Sequence, residues 1–176
     1  MAIKEVILLK KTLVAYYSWS NGNTKRIAEE VGLAIGADMA QIDTVVPYPE
    51  DYDETVCQGQ DEVNRNYHPD IKPLGVNVSD YDVIVVGTPT WWYTMAPAVA
   101  TFLENHDFSN KIVVPFMTNG GWPGHVIKDM EVMCKKATVV CPKEIRFDSQ
   151  GKDHLETDPS EIDMWIESVK KICKED

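Results

Sequence analysis

The chain has 176 residues, of which 44% are hydrophobic and 26% are charged, a length and composition that suit one globular domain with its own core. Its 17 basic and 28 acidic residues give a formal net charge of −11. Nucleic acid and anionic membranes both attract positive surfaces, so this charge argues against both as partners. A basic protein partner is compatible with it, as is acidity that serves solubility alone.

The apolar and cysteine patterns predict a cytoplasmic protein without a membrane anchor or a metal site. No apolar run approaches the roughly 20 residues that span a bilayer. The apolar stretch near the start follows Glu5 and precedes Lys10 and Lys11, without a small-residue cleavage site. The cysteines form neither a CxxC pair nor a zinc-ligand spacing, so we expect reduced thiols. They are Cys57, Cys134, Cys141 and Cys173.

Five short β-rich runs alternate with five helical patterns along the chain. The strand runs cover residues 12–17, 37–43, 82–87, 111–117 and 137–141, the last allowing an extension to Phe147. The helical patterns cover residues 23–35, 52–66, 97–104, 123–136 and 158–172. Residues 144–158 are compatible with an edge strand, with a loop over the functional site or with neither.

This alternation is typical of a parallel sheet with helices on both faces. The strand runs lack strict polar alternation, as expected for strands that are covered on both sides. We therefore predict an α/β fold, a three-layer α-β-α sandwich, as a single domain over residues 1–176 with residues 1–10 as an N-terminal extension. Ligands of such folds bind beyond the carboxyl ends of the strands, so the loops that follow the strands are where we expect the function.

The loop after the first strand has the composition of an anion site. It reads SWSNGNT from Ser18 to Thr24 and leads directly into a helix, whose free N–H groups and positive dipole end favour an anion. Gly22 permits a tight turn and a close approach of the backbone to a ligand. Neither GxxxxGK[ST] nor GxGxxG is present, which argues against a nucleoside triphosphate and a dinucleotide and favours a monophosphate. An ordinary Ser/Asn-rich helix cap is the alternative.

Two later loops offer partners for a flat ring. The third strand run leads into TPTWWYTMAP, where Trp91, Trp92 and Tyr93 provide area for stacking, although some of these rings are expected to cover the core instead. The fourth leads into TNGGWPGH, from Thr118 to His125, whose glycines expose backbone groups for ring carbonyls and nitrogens. A flexible turn is the alternative for this last loop.

Together, SWSNGNT, TPTWWYTMAP and FMTNGGWPG resemble the FMN site of the flavodoxin family, in particular a subgroup with a Pro-x-Trp-Trp segment, and the resemblance covers about residues 11–172. It implies a five-stranded parallel sheet of flavodoxin-like order 2-1-3-4-5. Trp19, Tyr93 and Trp122 depart from the usual smaller residues of the family. The residues implied to bind FMN are Ser18, Trp19, Ser20, Asn21, Gly22, Asn23, Thr24, Pro89, Thr90, Trp91, Trp92, Tyr93, Thr118, Asn119, Gly120, Gly121, Trp122 and Gly124.

The resemblance implies an electron-transfer protein that cycles FMN between semiquinone and hydroquinone. Aromatic walls and an acidic surface would disfavour the anionic reduced ring and lower its potential. The implied partners are redox proteins with a basic docking surface, and the chain itself would be a monomer or a weak homodimer. An FMN-dependent NAD(P)H:quinone-type oxidoreductase is the alternative, and a binding module without redox use is a third. We assign no catalytic residue, although His125 invites such a role.

Overall fold

A computed structural model describes residues 9–174. Its helices are α1 Asn23–Ile35, α2 Tyr52–Asn64, α3 Pro97–Asn105, α4 Val126–Met133 and α5 Pro159–Ile172, with a short 3₁₀ turn at Val78–Asp80. Its strands are β1 Thr12–Tyr16, β2 Asp38–Gln41, β3 Val83–Trp91, β4 Thr94–Met95, β5 Ile112–Asn119, β6 Thr138–Val139 and β7 Lys143–Arg146. None of the described helices is long and apolar enough to cross a bilayer.

The main sheet confirms the predicted parallel order. Its strands run β2-β1-β3-β5-β6, and β7 also pairs with β5. In β6, Thr138 lies opposite Ile112, whereas in β7 Lys143 lies opposite Phe116. Between these two pairs the β6–β7 segment therefore contains one residue more than β5. That extra residue is accommodated where Cys141 takes a left-handed φ of 53°, as in a β-bulge. The predicted fifth strand is thus one interrupted strand, and the short β4 adds only an antiparallel hairpin to β3.

Helices cover both faces of the sheet, which gives the predicted three layers. On one face, α1 and α5 bury Val31 and Ile166 in a cluster with strand residues. On the other face, α3 and α4 bury Phe102 and Met130 in a second cluster. The residues of β1 are all buried, because alternate side chains of a central strand enter the two clusters in turn.

Two boundaries differ from the sequence prediction in ways that shape the site. The helix predicted from Pro123 begins at Val126, because Gly124 takes a φ of +59°, which is not helical. The third strand run continues past residue 87 to Trp91 and turns back as β4. Of the predicted N-terminal extension, residues 1–8 lie outside the described part of the chain, while the Lys10 N–H donates to the Cys173 carbonyl at 2.9 Å.

Candidate functional site

A cavity of about 790 Å³ lies where the loops after β1, β3 and β5 meet, within the usual range for small-molecule sites. Ser18, Gly22, Gly121 and Gly124 do not line it. The predicted residues that do are Trp19, Ser20, Asn21, Asn23, Thr24, Pro89, Thr90, Trp91, Trp92, Tyr93, Thr118, Asn119, Gly120 and Trp122. The sequence analysis missed Tyr52, Thr55 and Val56. It left open a loop over the site within residues 144–158, and the structure places the segment from Phe147 to Lys152 in the lining.

One end of the cavity presents backbone donors at the start of α1. Ser20 and Gly22 have left-handed φ angles of 60° and 75°, and they bend the loop so that it leads into the helix. Gly22 is the N-cap and receives no side-chain cap, while Ser18 Oγ accepts only the Lys25 N–H at 3.2 Å. In the described structure the N–H groups of residues 20–24 donate to no protein acceptor. Free donors at a helix N-terminus favour an anion, whereas an ordinary cap would have satisfied them.

The side chains of this loop are directed differently from the prediction. The Asn21 amide donates to the Gly151 carbonyl, and the Asn23 amide donates to the Lys152 carbonyl at 2.9 Å. The buried Thr24 hydroxyl pairs with the Thr118 hydroxyl at 2.8 Å, which ties the loop to the end of β5. These three groups therefore hold the frame of the site, and the backbone provides the free donors.

Residues 148–154, which we call the strap, cross the start of α1. Asp148 shapes the strap by accepting the N–H groups of Gln150, Lys152 and His154 at 2.9, 3.2 and 3.2 Å. Desolvation opposes ionisation of this carboxyl, but those N–H donors outweigh it and hold the pKa of Asp148 below its ordinary value. Only the Asp148–Gly151 pair hints at such a turn in the sequence.

The other end of the cavity is the β3–β4 hairpin. Trp92 and Tyr93 form its two-residue turn with φ angles of 48° and 67°. Two consecutive positive φ values are the mark of a type I′ turn, which normally contains Asn-Gly. The Trp92 Nε1–H donates to the Val56 carbonyl of α2 at 3.1 Å, so a side-chain hydrogen bond fixes the hairpin to a helix.

The aromatic residues at this end divide into an inner wall and a mouth. Trp91 packs edge-on against Tyr48 and Tyr17, with ring centroids 4.9 and 5.7 Å apart, so this ring covers the core as the alternative interpretation expected. Trp92, Tyr93 and Trp122 are 38%, 55% and 59% exposed. The cavity is therefore closed by fixed rings inside and bordered by exposed rings outside.

A buried carboxylate lies behind the inner wall. Glu62 is only 4% exposed and accepts hydrogen bonds from the Tyr48 hydroxyl at 2.6 Å and the Gln58 amide at 2.8 Å. Burial, together with the bond to Glu62, strongly raises the pKa of Tyr48. Tyr48 thus stays protonated and rigidly placed against Trp91, which fixes the position of that ring.

The glycines of the loop after β5 mainly permit close packing. An added Cβ on Gly124 would lie 2.1 Å from the Tyr93 carbonyl oxygen, and the His125 N–H donates to that same oxygen at 2.8 Å. The Gly121 N–H donates to the Asn119 Oδ1 at 2.7 Å. The prediction that these glycines expose free N–H groups therefore fails at Gly121, and Gly124 instead supports the hairpin turn.

The charges of the site are few. Among the described residues that line the cavity, Asp148 is the single carboxylate and Lys152 the single cation. The expected acidic surface is therefore not part of the ring end, whose walls are aromatic and neutral. His125 lies outside the lining, bound to Asp129 at 2.5 Å, which in turn accepts the Thr94 hydroxyl; this chain braces the hairpin. No group of three or more His, Cys, Asp or Glu side chains within residues 9–174 is placed to hold a metal ion.

Comparison with known proteins identifies the family to which the sequence and the fold are similar. The family model described as Flavodoxin matches residues 11–169. A protein from Bacteroides eggerthii DSM 20697, provisionally named a flavoprotein, is 30% identical over 91% of this chain and 98% of its own, with a TM-score of 0.73. No curated protein matches the sequence of this chain.

Two further solved structures share the architecture. A flavoprotein from Lactobacillus acidophilus NCFM, solved in complex with FMN, is 25% identical over 89% of this chain and 98% of its own, with a TM-score of 0.69. A flavodoxin described as WrbA-like, from Agrobacterium tumefaciens, is 14% identical over 93% and 95% of the two chains, with a TM-score of 0.61. At that identity the second structure supports the fold alone.

Proposed function

The chain belongs to the flavodoxin family, and from this premise we propose that it binds FMN non-covalently, as a single domain, and carries electrons between redox partner proteins. One observation carries the proposal. A single cavity of about 790 Å³ has free backbone donors at a helix N-terminus at one end and an aromatic hairpin at the other. FMN has the matching parts, a phosphate joined by a ribityl chain to a flat ring.

The phosphate end fits a monophosphate. Five consecutive N–H groups, from Ser20 to Thr24, donate to no other part of the described chain. Because they lie at the positive end of the α1 dipole, they suit a dianion without a metal ion. A phosphate there would satisfy donors that are otherwise left to water, which supports backbone binding by this loop.

The ring end fits a planar heterocycle. Bound FMN would supply the one- and two-electron chemistry, while the chain orients the ring and excludes water from it. Trp19 and Trp91 line the inner side, with ring centroids 6.4 Å apart, and the hairpin closes the other. In the described chain the Tyr93 carbonyl accepts the His125 N–H, whereas the Trp92 carbonyl accepts no backbone N–H and would be available to a ring N–H of the reduced cofactor.

The charge distribution supports a protein partner. The chain has a formal net charge of −11, whereas the ring end of the cavity is neutral and opens between exposed aromatic residues. A chain with this net charge would attract a basic partner and speed their association.

The proposal is tested first by cofactor uptake and then by reduction. Purified protein should bind FMN in a fluorescence titration, and a spectroelectrochemical titration should resolve two separate one-electron steps. Protein that takes up no FMN would overturn the cofactor assignment. A single two-electron step with bound FMN would overturn only the carrier role.

The exposed rings at the mouth favour a second candidate, an FMN-dependent NAD(P)H:quinone-type oxidoreductase. Trp92, Tyr93 and Trp122 are exposed by 38% to 59% beside the cavity, where they would stack a flat organic acceptor over the cofactor. Steady NAD(P)H oxidation with a small quinone, in the absence of any partner protein, would select this activity. An FMN-loaded protein that reduces only a protein acceptor would select the carrier.

A further inference from the structure

The strap is fixed across the proposed phosphate subsite by contacts between distant parts of the chain. The Asn21 amide holds the Gly151 carbonyl, the Asn23 amide holds the Lys152 carbonyl at 2.9 Å, and Arg26 reaches the Asp153 carbonyl at 3.5 Å. All three donors lie in the loop before α1 or in its first turn. The strap and the start of α1 therefore form one structural unit.

The start of the strap also contacts the loop after β5. An added Cβ on Gly120 would lie 3.2 Å from the Asp148 carbonyl oxygen, so the two backbones approach closely. The Phe147 N–H donates to the Asn119 carbonyl at 2.8 Å. The strap is consequently supported from both sides of the cavity.

Lys152 is the one cation that this unit brings to the cavity. It is the single Lys or Arg among the described lining residues. It forms no salt bridge within the described chain, although its charge helps to lower the pKa of the nearby Asp148 carboxyl. Asp148 is already occupied by three strap N–H groups. The Lys152 ammonium is therefore available to an anion at the start of α1.

We propose that Lys152 pairs with the phosphate of the bound flavin nucleotide, so that the strap adds to the selectivity for the phosphorylated cofactor that the backbone N–H groups of residues 20–24 provide. The inference rests on the proposed function, since it assumes that the cavity binds FMN. Backbone N–H groups provide direction but no net charge, and a phosphate dianion is repelled by a chain with a net charge of −11. One ammonium beside the dianion offsets that repulsion, and a charge-assisted hydrogen bond adds to it.

The test compares FMN with riboflavin, which lacks the phosphate, in fluorescence titrations of the full chain at low salt. Lys152→Gln should weaken FMN binding about tenfold and change riboflavin binding less than about twofold. Lys152→Arg retains the charge and should restore most of the FMN affinity. Raising the salt concentration should reduce the difference between wild type and Lys152→Gln, because salt screens an exposed ion pair.

Lys135→Gln is the matched control. It removes one exposed positive charge just beyond the end of α4, away from the cavity lining, and should leave both affinities unchanged. Equal losses for FMN and riboflavin in Lys152→Gln would show that the residue only shapes the strap, and this would overturn the proposal. Unchanged FMN affinity in Lys152→Gln would overturn it as well. Wild-type protein that binds neither flavin would instead overturn the proposed function.

Discussion

Replacing Gly124 by alanine should damage both the fold and the site, because the backbone of the hairpin turn occupies the space that a side chain needs. The added Cβ would lie 2.1 Å from the Tyr93 carbonyl oxygen and 2.5 Å from the Tyr93 Cα and carbonyl carbon. All three are backbone atoms, so no rotamer change relieves the contact. The His125 N–H bond to that carbonyl, at 2.8 Å, would be displaced with them.

The expected cost of this change has two parts. The φ of +59° disfavours alanine by about 1–2 kcal/mol. The forced shift of the hairpin adds about 1–3 kcal/mol, the usual range for overpacking. Urea unfolding should therefore show a loss of about 2–5 kcal/mol, and any part relieved by moving the hairpin should reappear as weaker FMN binding.

Gly36→Ala is the matched control for the first part. Gly36 has a similar φ of +65°, but an added Cβ would meet nothing within 4 Å, and the residue lies at the far end of α1. This variant should lose only the conformational cost of about 1–2 kcal/mol and retain FMN binding. If Gly124→Ala were as stable as Gly36→Ala and bound FMN equally well, the contact between the added Cβ and the Tyr93 backbone would have no energetic cost. That result would refute the proposed role of Gly124.

Three further measurements test the frame of the site and its partner. Thr24→Val and Thr118→Val should each lower the free energy of unfolding by about 1–2 kcal/mol, since each leaves one buried hydroxyl unpaired; the double variant should cost less than the sum in urea unfolding, and strict additivity would contradict a direct bond. Because the pKa of Tyr48 is raised above its ordinary value of 10, the folded state keeps a proton that the unfolded chain releases, so stability should fall as the pH rises above that value. In urea unfolding between about pH 8 and 11, Tyr48→Phe should reduce the slope of unfolding free energy against pH by up to about 1.4 kcal/mol per pH unit. Equal slopes for wild type and Tyr48→Phe would refute the link between Tyr48 and this pH dependence. Electron transfer to a basic redox protein should slow as salt increases in stopped-flow measurements, whereas a rate independent of salt would remove the argument for electrostatic steering.

Much of the architecture could be predicted because its signals are local or topological. The strands β1, β3 and β5 are continuous apolar runs, and the structure buries them between two helical layers. The carboxyl ends of parallel strands lie at one edge of a sheet, so the loops that follow them converge whatever their sequences. The order of the strands, in contrast, came from the resemblance to a family and not from the pattern.

The sequence left a loop over the site as one of three alternatives for residues 144–158. It could not decide between them, because the contacts of the strap join residues that are far apart in the sequence. The bond from Asn23 to the Lys152 carbonyl spans 129 positions, and nothing near either residue indicates the other. The asparagines were expected to bind phosphate because their loop resembles the phosphate loop of the flavodoxin family. In the structure Asn21 and Asn23 hold the strap instead. This also places Lys152 beside a loop, Ser18 to Thr24, that has no Lys or Arg of its own.

The hairpin turn departs from the residue preferences of its turn type where it borders the proposed flavin site. Trp92 and Tyr93 occupy two left-handed positions that favour Asn and Gly, and each such placement of a bulky residue costs about 1–2 kcal/mol. The surrounding structure supplies the compensation, since Gly124 packs under the turn and the Trp92 indole is bound to α2. This strain beside the cavity supports our proposal that the two rings take part in binding there. The cheapest turn, Asn-Gly, would keep the sheet intact and remove two of the aromatic rings that border the proposed flavin, so the strained pair is best understood as a property of the site and not of the fold.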